Sequence, residues 1–464
     1  MTVSPPLVVI DIVGLTPALL GAHTPHLNRL VEDGFMVPLD GIFPAVTCSA
    51  QASMLTGLQP SGHGIVANGW YFRDLAEIWL WRQSNHLVQG EKVWDAARRR
   101  DERFTCAKMF WWYNMYADVE YSVTPRPAYP ADGRKIFGIY GNPHELAETL
   151  EQELGPFPMF NFWGPASDIR SSEWIAQSTR LTFDRHRPSL TLAYLPHLDY
   201  NLQRLGPDDP RIWADVAAID RVAGELIEHV RSEGAEVMVV SEYGIEPARG
   251  QVHPNRVLRD HGLLAVRETL GWELLDAGAS RAFAVADHQV AHIYLRDPRD
   301  NQQVRRILEG TEGIDRVLGE AEKPAWGLDH ERSGDLVAVA EPGFWFTYYY
   351  WLDDAKAPDF ARTVDIHRKP GYDPVELFID PGLHWPRLRI AWRLAQKKLG
   401  MRMLMDVISL APSLVKGTHG RLPDAPEVGP LLISSRKDLE TGHCSMLDIK
   451  DLILQQLSPS GGKP

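Results

Sequence analysis

Four short stretches of this sequence are almost continuously apolar: LVVIDIV from Leu7, SLTLAYL from Ser189, AEVMVVS from Ala235 and GPLLISS from Gly429. A strand with one wet face alternates apolar and polar side chains, whereas an unbroken apolar run of this length fits a strand covered on both faces. Helical segments lie between the runs. Thr24 and Pro25 open one with Leu27, Leu30 and Val31 on a face, stopped at Gly34. Asp209 and Pro210 open another with Ile212, Val216, Ile219, Ala223, Leu226 and Val230, ended by Gly234. Strands alternating with helices predict an α/β fold around a mostly parallel sheet with helices on both faces.

The pattern changes between residues 251 and 365. HQVAHIYL and DLVAVAE read as strands there, and the aromatic run FWFTYYYWL follows them. This predicts a core made of residues 1–250 and 366–458, an inserted subdomain over 251–365, and a disordered tail over 459–464. No repeat or low-complexity linker separates the insertion, so it is expected to pack on the core.

In a doubly wound sheet, ligands gather at the carboxyl ends of the strands. The residues there are Asp11 after VVI, Thr47 in FPAVTCSAQ, Asp199 in LPHLDYN, Glu242 in VVSEYG and His419 in KGTHGR. Acids, a hydroxyl and an imidazole at chain reversals form a set of oxygen and nitrogen ligands suited to a pair of divalent cations. Thr47 precedes a predicted short helix, where free backbone N–H groups can hold a phosphate. Bound to a metal, its hydroxyl can ionise and attack phosphorus.

The chain carries a formal net charge of -13 over 464 residues. That balance argues against a broad electrostatic hold on a nucleic acid polymer or on an anionic membrane surface, and a small phosphorylated substrate needs local compensation from bound cations or helix N-termini. The three cysteines are scattered and form no CxxC pattern. With no basic leader at the start and no stretch as long as a membrane span, the expectation is a cytoplasmic protein.

The segment FPAVTCSAQASMLTGLQPSGHGIVANGWY resembles the nucleophile segment of the type I phosphodiesterases/nucleotide pyrophosphatases in the alkaline phosphatase superfamily. The resemblance continues through Asp11, LPHLDYNLQRLGP, SEYG and GTHG, in the family's order. It implies an alkaline phosphatase-like three-layer sandwich, with Thr47 as covalent nucleophile and two divalent ions (zinc, manganese or magnesium). Asp11, Thr47 and Glu242 would bind one ion, and Asp199 and His419 the other. The sequence departs from the family pattern in three places. Gln203 stands where a histidine follows the aspartate, Glu242–Tyr243 stands for Asp-His, and Ala50 stands for a phosphate-binding asparagine. His367, His253, His288 or His292 could fill the gaps, with His367 foremost, or Gln203 itself could ligate a harder ion. Gln51 and Asn68, with Tyr243 and Arg82, are the expected substrate contacts, and His63 is assigned a structural role.

The implied reaction is cleavage of a phosphodiester or pyrophosphate bond through a phospho-threonine. A phosphomonoesterase or phosphonate hydrolase of the same superfamily is the alternative reading. A binding protein without turnover is the alternative of another class, favoured by Gln203, Tyr243 and Ala50.

Overall fold

A computed structural model describes residues 4–131 and 134–457. Residues 459–464, expected to be a disordered tail, lie outside the described residues. Nine strands form the main sheet: β1 (Leu7–Ile12), β2 (Phe35–Asp40), β3 (Cys106–Met109), β4 (Tyr121–Pro125), β5 (Ile139–Asn142), β6 (Leu190–Leu195), β7 (Glu236–Val240), β8 (Leu431–Ser434) and β9 (Cys444–Ser445). Their order across the sheet is β9-β2-β8-β7-β1-β6-β3-β4-β5. The central neighbours β7, β1, β6, β3 and β4 run parallel, as do β2 and β9. Strand β8 runs antiparallel to both β7 and β2, and β5 runs antiparallel to β4. The sheet is thus mixed and mainly parallel.

All six residues of β1 are buried. Successive side chains of a strand point to opposite faces. Val8, Ile10 and Ile12 join a core with the helices Pro25–Asp33, Ile169–His186 and Ile212–Ser232. Leu7 and Val9 join a second core with the helices Thr47–Thr56, Val93–Arg100 and Ile449–Gln456. Two helical layers therefore sandwich the sheet, as the unbroken apolar runs predict.

Within residues 251–365 the chain builds a four-stranded antiparallel sheet from Ala282–Asp287, Val290–Leu295, Leu336–Ala340 and Ile314–Leu318. Its apolar side chains share a core with the first helical layer. The aromatic run closes this junction, with Trp345, Phe346, Tyr348, Tyr349, Tyr350 and Trp351 all buried.

Candidate active site

The carboxyl ends of three neighbouring strands, β7, β1 and β6, converge on one point. Asp11 lies near the end of β1, opposite Tyr194 and Val240. Asp199 sits in the helix His197–Leu205 directly after β6, and Glu242 and Tyr243 follow β7. Gly244 lets this last turn close, since a Cβ there would lie 1.8 Å from the Val428 carbonyl oxygen. Thr47 opens the helix Thr47–Thr56, and His419 follows the short strand Gly417–Thr418.

Thr47 Oγ1 lies 3.0 Å from the Tyr243 hydroxyl, which in turn lies 3.4 Å from Asp199 Oδ1. The Gln51 amide spans the two other acids. Its Nε2 donates to Asp11 Oδ2 at 3.0 Å and to Glu242 Oε1 at 2.7 Å, and its Oε1 accepts from the Trp112 N–H at 2.7 Å. Lys108, wholly buried, fixes that N–H in place by donating to the carbonyls of Trp112 and Tyr113 at 2.8 and 2.7 Å. Burial brings the Lys108 ammonium down to about 7.

Asp11 is held well above the usual carboxylate range, first by burial and then by Glu242 beside it. Burial also raises Glu242, while the hydrogen bond from Gln51 acts in the other direction. Asp199 is pushed up to about 7 by burial and by Glu242. His419 donates from Nδ1 to the Ala45 carbonyl at 2.7 Å, which leaves Nε2 as a lone pair 4.0 Å from Asp199 Oδ1. Burial and neighbouring His288 hold its imidazole well below its ordinary value, so it is neutral.

A circuit of side chains surrounds Asp199. The rings of Tyr243 and His419 stack at 3.6 Å and 9°, His288 lies 3.6 Å from His419, and Tyr372 lies 3.7 Å from His288. The Tyr372 hydroxyl donates to Gln203 Oε1 at 3.1 Å, and Gln203 Nε2 donates to Asp199 Oδ2 at 2.7 Å. Asp199 closes the circuit on Tyr243.

These contacts decide what each position can hold. Asp11 Oδ1 and Glu242 Oε2 are buried with no hydrogen-bond donor among the described residues. Two facing carboxyls in that state need either a shared proton or a cation. With Thr47 Oγ1 they form an all-oxygen set that fits one hard divalent ion. The second position does not fit an ion in the same way. Both oxygens of Asp199 already accept hydrogen bonds, Gln203 presents its amide N–H to Asp199, and the free ligand atoms that remain are the Nε2 lone pairs of His419 and His288. Among the described residues, no group of three or more His, Cys, Asp and Glu is placed to hold a metal.

The structure thus gathers Asp11, Thr47, Gln51, Asp199, Gln203, Glu242, Tyr243 and His419. Asn68 reaches the same helix start, but both ends of its amide are engaged. Its Oδ1 accepts from the Cys48 N–H at 3.0 Å and its Nδ2 donates to Asp287 at 3.1 Å. Ala50 faces the core behind the helix. His367 and Arg82 belong to another group: His367 contacts the Tyr129 ring, and Arg82 lies 3.7 Å over Trp79. Among the spare histidines, His253 bonds Thr347 and His292 bonds the Val66 carbonyl. His288 alone of the four joins the cluster, held by Asp287 at 2.7 Å. Sequence reasoning missed Asp287, Tyr372 and Trp112. The signal for the first was a buried Asp-His pair at the turn of an otherwise apolar hairpin.

The type I phosphodiesterase/nucleotide pyrophosphatase family profile matches residues 7–373. An uncharacterised pyrophosphatase/phosphodiesterase of Schizosaccharomyces pombe is 27% identical over 240 residues, covering 49% of this chain and 42% of that protein. Ectonucleotide pyrophosphatase/phosphodiesterase 2 of Saccharomyces cerevisiae is 22% identical over 319 residues, 63% of this chain and 55% of its own length. The chain therefore spans about half the length of these curated relatives. Among solved structures, murine ectonucleotide pyrophosphatase/phosphodiesterase 5 superposes with a TM-score of 0.59 at 15% identity, covering 99% of this chain and 97% of that one. Phosphonoacetate hydrolase of Sinorhizobium meliloti gives 0.63 at 15%, covering 98% and 96%. In fold the chain is alkaline phosphatase-like, and by sequence it belongs to the type I phosphodiesterase/nucleotide pyrophosphatase family.

Proposed function

We propose that this chain hydrolyses a phosphodiester or pyrophosphate bond of a small, nucleotide-like substrate through a covalent phosphate on Thr47. The observation that carries the reading is the run Thr47 Oγ1 to Tyr243 hydroxyl to Asp199, beside two unsatisfied carboxylate oxygens. Family membership supports the hydrolase class. A threonine-to-alanine variant of the murine relative, described as inactive, was solved with AMP bound, which supports a nucleoside phosphate as the group retained.

On this reading Asp11, Glu242 and Thr47 hold one divalent cation, which supplies positive charge to the threonine oxygen and the phosphoryl group. The chain's own groups handle the proton. Tyr243 donates to Asp199, so its oxygen is free to accept the proton of Thr47. Asp199, brought to about 7, is a base matched to neutral pH. Thr47 Oγ1 bonds to phosphorus as the bond to the leaving oxygen breaks, and the threonine proton moves through Tyr243 to Asp199. Water then displaces the threonine oxygen from phosphorus; one of its protons stays on the phosphate, the other goes to the leaving oxygen released in the first step, and the Asp199 proton returns through Tyr243 to Thr47. The three cysteines are free and buried, which fits the reading of a cytoplasmic protein.

The test is turnover of mono- and diester nitrophenyl phosphates and of a dinucleotide pyrophosphate, with Mn²⁺ or Mg²⁺, together with trapping of the phospho-enzyme by acid quench. Wild type should carry phosphate on Thr47 from a monoester, and the nucleoside phosphate from the dinucleotide substrate; Thr47→Ala should lose turnover by at least about a thousandfold, and Tyr243→Phe should lower kcat about tenfold to a hundredfold with KM little changed. Turnover that persists in Thr47→Ala would overturn the nucleophile. The closed circuit around Asp199 favours one second reading, a nucleotide-binding protein that does not turn over. AMP binding to wild type by calorimetry, without hydrolysis on any substrate, would select it.

A further inference from the structure

The helix Pro386–Lys398 carries its apolar stripe on the outside. No residue of this helix is buried. Its inner side rests Ile390 on a small core of Trp345, Val375, Val407, Ile408 and Val415. Arg389 and Arg393 on the same side pair with Asp406. The outer side presents Leu388, Ala391, Trp392, Ala395 and Leu399, the spacing of one continuous helical face. Leu388 is 65% exposed, Trp392 61% and Leu399 73%, and Trp385 at the helix start is 75% exposed. Single exposed apolar residues are ordinary, but a contiguous stripe with two tryptophans marks a contact surface.

The charge around the stripe says what covers it. Residues 381–405 contain Arg387, Arg389, Arg393, Lys397, Lys398 and Arg402 and no Asp or Glu, in a chain of net charge -13. Basic residues flanking a tryptophan- and leucine-bearing stripe on a short surface helix are the pattern of a helix lying in the plane of an anionic bilayer. At 13 residues it is about 20 Å long, and among the described residues no helix is long and apolar enough to cross a membrane. A second copy of the chain fits less well, because a symmetric stripe-on-stripe contact brings the basic flanks of the two copies together.

We propose that the segment Trp385–Arg402 is an interfacial anchor that seats this protein on an anionic lipid surface. Its apolar stripe enters the headgroup boundary while Arg387, Lys397, Lys398 and Arg402 meet lipid phosphates. The assignment is independent of the reaction at Thr47.

The experiment is flotation of the full chain with phosphatidylcholine vesicles, with and without phosphatidylglycerol, at low and high salt. Wild type should float with the anionic vesicles, stay soluble with the neutral ones, and be released by salt. Trp385→Ser/Trp392→Ser and Arg387→Glu/Lys397→Glu/Lys398→Glu should each weaken partitioning by at least about tenfold. These side chains are exposed, so both variants should keep the wild-type melting curve and phosphatase kinetics. Wild type that stays soluble with anionic vesicles at low salt, or variants that float as wild type does, would overturn the proposal. So would a dimer in light scattering that Trp385→Ser/Trp392→Ser converts to monomer, which would assign the stripe to a second copy.

Discussion

Gln51 is the residue on which the state of the site turns. One amide nitrogen donates to two buried carboxylates, and the amide oxygen is pinned by Trp112. Hydrogen bonds to charged acceptors contribute about 1.5–3 kcal/mol each when buried. Gln51→Leu leaves Asp11 and Glu242 facing one another without a donor, so the cation-free protein should lose roughly 2–4 kcal/mol. Added Mn²⁺ should restore much of that loss. The measurement is urea unfolding with chelator and with Mn²⁺, where the expected result is a larger metal-induced shift in the variant than in wild type. Equal shifts would show that the cation does not enter between Asp11 and Glu242. Legibility at this scale was uneven. Asp11, Thr47, Asp199, Glu242 and His419 could be picked out because strand ends converge in any doubly wound sheet. The two-donor role of Gln51 could not, because it depends on Trp112, whose position is set by the buried Lys108 and not by local sequence.

At the scale of elements, the helix Thr47–Thr56 is anchored by His63 in the next turn of chain. His63 Nδ1 accepts from the Ile65 N–H at 3.1 Å, so Nε2 carries the proton and donates to Ser53 Oγ at 2.9 Å. Burial, with His330 and Arg332 nearby, brings this imidazole down to about 3. The unfolded chain takes up a proton below about pH 6.5 and the folded chain does not, so the group's contribution is complete above pH 6.5 and is lost as pH falls toward 3. Between pH 6.5 and pH 5 the loss should be about 2 kcal/mol. Chemical denaturation across that window should show a shallower fall for His63→Gln than for wild type, and an identical slope would remove His63 as the source. The elements themselves were readable where burial on two faces left a continuous apolar run, as in β1, β6, β7 and β8. The outward stripe of Pro386–Lys398 was not, because helical periodicity shows that a face exists without showing which way it points.

For the whole molecule, the question is how many cations one chain holds. A resemblance to a two-metal family leads to an expectation of two. The circuit from Tyr243 through His419, His288, Tyr372 and Gln203 back to Asp199 leads to one. Mass spectrometry of protein equilibrated with Mn²⁺ or Zn²⁺ should find about one ion per chain in wild type. Gln203→His/Tyr243→His restores two imidazoles around Asp199 and should raise the count to about two with Zn²⁺. Two ions in wild type would show that the circuit opens in solution. The departures at Gln203 and Tyr243 were visible in sequence. Their joint effect was not, since Asp287, His288 and Tyr372 arrive from the four-stranded sheet and the loop after it.

The same stack makes the site optically visible. Four rings, two of them tyrosines, follow one another at centroid spacings of 3.6–3.7 Å, with successive planes 9° to 39° apart. A ligand that lifts Tyr243 from His419 changes the surroundings of that phenol, so the near-ultraviolet circular dichroism difference between free and occupied protein should shrink in Tyr243→Phe.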